Sequence, residues 1–96
     1  MPKVLLYISS KVMWTFLFYG TDVYENRAHV HVGKKGDDLF AKIWLEPDVT
    51  PANQGALTES QMKQVLAIVE ENKKVLLEQW NNFVQGKSIR IIKIKR

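Results

Sequence analysis

Two histidines stand two residues apart in the segment Ala28-His29-Val30-His31-Val32. On a β-strand, residues i and i+2 point to the same side, so His29 and His31 share one face and Val30 and Val32 the other. A second alternating run follows at Leu39 to Leu45, with Ala41 and Ile43 opposing Lys42 and Trp44. If the valines face Ala41 and Ile43 in the core, the outer face collects His29, His31, Lys42 and Trp44. Two imidazoles, an ammonium and an indole can bind an anion or a nucleotide, by stacking on Trp44 and hydrogen bonding to the histidines. The same residues also suit the solvated side of an ordinary half-exposed sheet.

Catalysis is a second use for such a set. One histidine could serve as general base in a metal-free, RNA-directed reaction, with Lys42 or Arg27 stabilising the phosphorane. Metal binding is not expected. Two imidazoles fall short of the three or four ligands of a zinc site, and Asp22, Glu25 and Glu46 would have to come from loops. The hydroxyls of Ser9, Ser10, Thr15 and Ser60 sit where turns or caps explain them. There is no P-loop and no glycine-rich phosphate cradle, so no cofactor is expected.

The C-terminal end carries a different signal. Residues 1–84 hold nine Lys or Arg against ten Asp or Glu, whereas the last twelve residues hold Lys87, Arg90, Lys93, Lys95 and Arg96 and no acid. The net charge of +4 therefore belongs to the tail. Three uses of that tail stand side by side. It can be an edge strand protected by lysines against self-pairing. It can contact phosphates of a nucleic acid. It can pair with a strand of a partner or of a second copy.

The elements that position these residues follow from periodicity. Strands are expected at about 3–8, 12–19, 28–33 and 39–45, and a basic C-terminal strand at about 88–94. In the last of these the phase slips between Ile91 and Ile92, which predicts a bulge or a strand covered on both sides. Residues 46–57 contain Pro47, Pro51 and Gly55 and read as a long loop without regular structure. Thr58 and Gln61 form a capping-box pattern. Beyond it, Met62, Leu66, Val69, Leu76, Trp80 and Phe83 recur at steps that align on one helix face. The helix spans about 58–84, with a bend expected near Asn72 and Gly86 as its C-cap. Trp14, Phe16 and Phe18 are spaced two apart and read as the core face of the second strand.

The chain is thus a single α+β domain: a small four- or five-stranded, mostly antiparallel sheet packed against one long helix. Ninety-six residues without cysteine exclude a disulfide framework and fit a reducing, cytoplasmic setting. No apolar run approaches the roughly 20 residues of a membrane span. The helix stripe is wide enough that Leu76, Trp80, Phe83 and Val84 could extend past the sheet, where a homodimer or another subunit would bury them.

The segments His29-Val30-His31-Val32, Ala41-Lys42-Ile43-Trp44-Leu45-Glu46-Pro47 and the Glu70-Glu71-Asn72 to Trp80 helix ending resemble the bacterial domain of unknown function 4160 family. The resemblance covers Phe18 to Val84. The family usually has proline where this chain has Ala28, and the Lys- and Ile-rich extension is not associated with it. The family's function is not established. Its members' genes often lie beside another short gene, which implies a small protein partner and a two-gene, toxin–antitoxin-like arrangement. The expectation from all of this is a binding or regulatory module. A small RNA-directed enzyme using His29 or His31, and a structural subunit docking through its helix, are the alternatives.

Overall fold

A computed structural model of the chain describes residues 3–9, 12–19, 24, 27–34 and 40–95. Six strands form one sheet: β1 (Lys3–Ile8), β2 (Met13–Leu17), β3 (His29–Lys34), β4 (Phe40–Trp44), β5 (Thr50–Asn53) and β6 (Ile92–Lys95). Their order across the sheet is β5-β4-β3-β2-β1-β6. Neighbours pair antiparallel except β1 and β6, which are parallel. Two helices, α1 (Glu59–Glu71) and α2 (Lys73–Val84), complete the α+β architecture.

The sheet is larger than expected because β5 forms within the segment read as a loop. It carries Pro51, which lacks an N–H, and it is exposed except at Ala52. An edge strand tolerates such a proline because one row of its backbone groups faces solvent. No alternation marks it, since neither side enters the core.

The expected single helix is two. Asn72 departs from helical geometry at φ −110° and ψ 16°. Its side-chain amide donates to the Ile68 carbonyl at 2.8 Å, a local competition that disfavours straight continuation. The capping box opens α1 as predicted. Gln61 N–H donates to the Thr58 hydroxyl at 3.1 Å, and Thr58 N–H donates to the Gln61 side-chain oxygen at 2.9 Å. Gly86 ends α2 at φ +73°. There Gly86 N–H reaches Phe83 O at 3.1 Å and Lys87 N–H reaches Asn82 O at 2.8 Å. This pair of bonds is the Schellman arrangement that favours glycine.

The helices cover one side of the sheet. Register places Leu5, Phe16, Val32 and Ala41 in one row, and Val30 opposite Ile43. All are buried and pack in a single cluster with Met62, Val65, Ile68, Val69, Leu76 and Trp80. Trp14, Phe16 and Phe18 belong to that core as expected. A register shift between Lys3 and Leu5 leaves Val4 as the extra residue, and it too is fully buried. Lys73 interrupts the helix stripe without a penalty: it is half-buried, and its ammonium donates to the Pro47 carbonyl at 3.3 Å.

The helix stripe leaves little over. Leu76 and Trp80 are buried and Phe83 is half-buried against the core; only Val84 of the four residues proposed to overhang is exposed. Packing under α2 consumes the surface assigned to a docking subunit.

The C-terminal strand is shorter than the span 88–94, and the phase slip has a different cause from a bulge. Ile89 is half-buried against the core, Ile91 is exposed, and the strand begins only at Ile92. The buried Gln79 side chain donates to the Arg90 carbonyl, occupying an acceptor just upstream of the ladder.

Candidate functional site

The strand register assembles the outer face as the alternation predicts. His29 pairs with Trp44, and His31 lies between Lys42 on β4 and Leu17 on β2. All four candidate residues therefore occupy adjacent positions on the side of the sheet opposite the core. His31, Lys42 and Trp44 are half-buried there.

His29 is the correction. It is fully buried rather than part of an open face. The Trp80 indole of α2 reaches its ring at a centroid distance of 4.8 Å, while His31 and Trp44 meet it edge-on at 5.2 and 5.7 Å. Trp80 also meets Phe18 edge-on at 5.4 Å. Phe18 follows the last residue of β2, and His29 is the first residue of β3. Trp80 thus caps the shared end of these two strands. His29 Nδ1 lies 2.9 Å from the Arg27 carbonyl, which has no proton to give, so Nδ1 is the donor. A ring so enclosed is packed among its neighbours and does not stand open on the face.

Trp44 is not an open stacking platform either. The Arg27 guanidinium lies 4.2 Å from the indole centroid and the Lys42 ammonium 4.7 Å from it. Both distances are within cation–π range. Arg27 is held in place, because its Nε donates to the Glu46 carbonyl at 2.7 Å. That bond ties the segment before β3 to the segment after β4. His31 has its own ring partner, with Tyr19 edge-on at 4.3 Å. A base could stack on Trp44 only by displacing a cation. The cations themselves remain suited to an anionic group.

The sequence suggests Arg27 only as a stabiliser of a reaction intermediate and gives Tyr19 no separate role. Tyr19 ends the aromatic run at Phe18-Tyr19, and strand parity puts it with Leu17, on the histidine side. That parity was the available signal.

The tail residues divide. Lys93 pairs with Leu6 and Lys95 with Ile8, both exposed on the same side of the sheet as His31. Ile92 and Ile94 point the other way, opposite Leu5 and Tyr7, and pack on the core. Lys87 and Arg90 are exposed but lie before the strand. Arg90 helps line a groove of about 300 Å³ between α2 and residues 88–92, with Val75, Glu78, Gln79 and Asn82 on its α2 wall. Arg96, Asp22 and Glu25 lie outside the described residues. Among the described residues no cluster of three His, Cys, Asp or Glu is placed to hold a metal ion. Ser9 has a turn role: its hydroxyl donates to Val12 O at 3.1 Å and accepts from Val12 N–H at 3.2 Å. Among the described residues no helix is long and apolar enough to cross a membrane.

Residues 14–81 match the family model described as a domain of unknown function, DUF4160. The match includes Arg27, His29, His31, Lys42, Trp44 and Trp80, and it excludes β1 and β6. No curated protein and no solved structure is a significant match.

Proposed function

We propose that this chain, which belongs to the DUF4160 family, is a non-enzymatic binding or regulatory module that recognises its partner on the helix-free face of the sheet. His31, Lys42 and Trp44 form the recognition centre, Arg27 orders it, and the β6 lysines assist. Following the family resemblance, the partner is a small protein encoded by a neighbouring gene, and the pair acts in the bacterial cytoplasm as a toxin–antitoxin-like system.

One observation carries the recognition face. Two cations lie within 5 Å of the Trp44 ring centre, one of them pinned by a hydrogen bond, on the side of the sheet opposite the core, which α2 meets only where Trp80 closes over His29. Fixing an arginine costs side-chain entropy. A cluster so ordered loses less on binding an anionic group. The RNA-directed enzyme gains nothing comparable: His29 is buried, and only His31 is left as an acid–base residue.

The test is expression of the tagged chain from its native locus and mass spectrometry of what co-purifies. A stoichiometric small protein is the expected result. RNA that washes off with salt would transfer the face to a nucleic-acid ligand. A solitary chain would contradict the two-component reading.

A further inference from the structure

We infer that the helix-free face docks an acidic, amphipathic helix of a partner protein; the inference rests on the recognition face proposed above and supplies the chemistry of what occupies it.

The centre of the face is aliphatic. Leu6, Ile8 and Met13 are half-buried and stand outside the core cluster, and Leu17, although buried, is outside it as well. Met13 pairs with Ile8, and Leu6 with Thr15. These residues sit in the middle strands and point away from the helices.

Cations border that centre on both sides. Lys93 and Lys95 flank Leu6 and Ile8 along β6. Lys42 flanks His31 along β4, with Arg27 over the neighbouring Trp44. Lys3, at the start of β1, pairs with Leu17. No Asp or Glu is found among the described strand residues, whereas Glu59, Glu70, Glu71 and Glu78 all lie on the helices. Among the described strand residues every charged side chain on this face is therefore a cation, with exposed Glu46 and Asp48 following β4 at one end.

Geometry selects the occupant. From β4 to β6 there are four strand spacings, roughly 19 Å at about 4.8 Å each. A helix about 10 Å across fits between the two cationic borders and leaves room for carboxylates to reach each. The strands are about 17 Å long at 3.4 Å per residue, which matches about three helical turns. A second copy of the chain would set lysines against lysines. Single-stranded RNA would want open aromatic rings; here Trp44 is covered by cations and His31 is met by Tyr19. An aliphatic strip between ammonium rows meets an apolar stripe between carboxylate rows.

The experiment titrates three probes into the isotope-labelled full chain and follows amide and indole resonances. The probes are a synthetic helical peptide of about three turns with a leucine stripe flanked by glutamates, its lysine-flanked twin, and a short oligouridine RNA. The glutamate peptide is expected to shift Leu6, Ile8, Met13 and Trp44 signals, with affinity falling about tenfold or more from low to high salt. The Lys93→Glu/Lys95→Glu double variant should weaken it by about tenfold, and Lys63→Glu/Lys74→Glu, on the helices, should not. RNA shifting the same signals while the peptide does not would overturn the protein occupant and leave the recognition face standing. Dimerisation through this face by light scattering would overturn it in favour of a second copy, and silence from all three probes would overturn it outright. Peptide-induced shifts confined to α1 and α2 would remove the recognition face as well.

Discussion

Replacing Trp80 with alanine is expected to destabilise the domain by about 3–5 kcal/mol, the range for removing a buried aromatic from a packed core. Trp80 is only 5% exposed and touches three rings: Phe18, Phe83 and His29. Edge-on and tilted ring contacts add to the transfer term. Domains of this size are stable by roughly 5–15 kcal/mol in total, so the variant should lose between about a fifth and nearly all of that stability. Urea denaturation of the two proteins measures the difference. A loss under about 1 kcal/mol would mean that Trp80 does not close the end of β2 and β3.

The second large effect separates two residues that look like twins in the sequence. His29→Ala should cost about 2–4 kcal/mol, because it empties a fully buried site among three rings and removes the donor to the Arg27 carbonyl. His31→Ala should cost under about 1 kcal/mol, since His31 is only half-buried and lies outside the core cluster. Its consequence is in binding instead. The carbonyl left without its donor in the first variant belongs to Arg27 itself, so the Arg27 guanidinium should also loosen over Trp44. Denaturation midpoints and the indole resonance of Trp44 read the two effects separately. Equal losses for both histidines would contradict the division of roles.

The difference between the two histidines marks where the sequence stops being informative. Alternation is a local signal, and it correctly set Val30 against Ile43 and His31 beside Lys42. The burial of His29 is decided by Trp80, fifty-one positions later in the chain, and no periodicity reports that encounter. The capping box at Thr58 and the glycine cap at Gly86 were legible because each is settled within one helical turn. The bend near Asn72 was expected because one helix over 58–84 is long for so small a domain; the local cause, the asparagine side chain on the Ile68 carbonyl, came from the structure.

What was missed is non-local. β5 carries neither alternation nor β-branched residues beyond Thr50, and it exists because β4 offers it an edge. The parallel pairing of β6 with β1 joins the two ends of the chain, which no spacing rule connects. It nonetheless explains the isoleucine–lysine alternation at Ile92 to Lys95: the isoleucines reach the core and the lysines lie on the opposite face. Arg27 could be named from the sequence, but its placement over Trp44 depends on the Glu46 carbonyl, nineteen residues away.

Charge reversal on the sheet face, against the same reversal on a helix, locates where the partner binds. Lys42→Glu and Lys63→Glu each change the net charge equally, but Lys42 is on the recognition face and Lys63 is exposed on α1. The tagged wild type and both variants would be purified from the native locus, and the amount of co-purifying protein compared at matched expression. Lys42→Glu is expected to lose at least about nine-tenths of the bound partner, as when a charge on an acidic contact is inverted, while Lys63→Glu retains it. Equal retention by both variants, or loss with Lys63→Glu alone, would show that the partner does not bind on this side of the sheet.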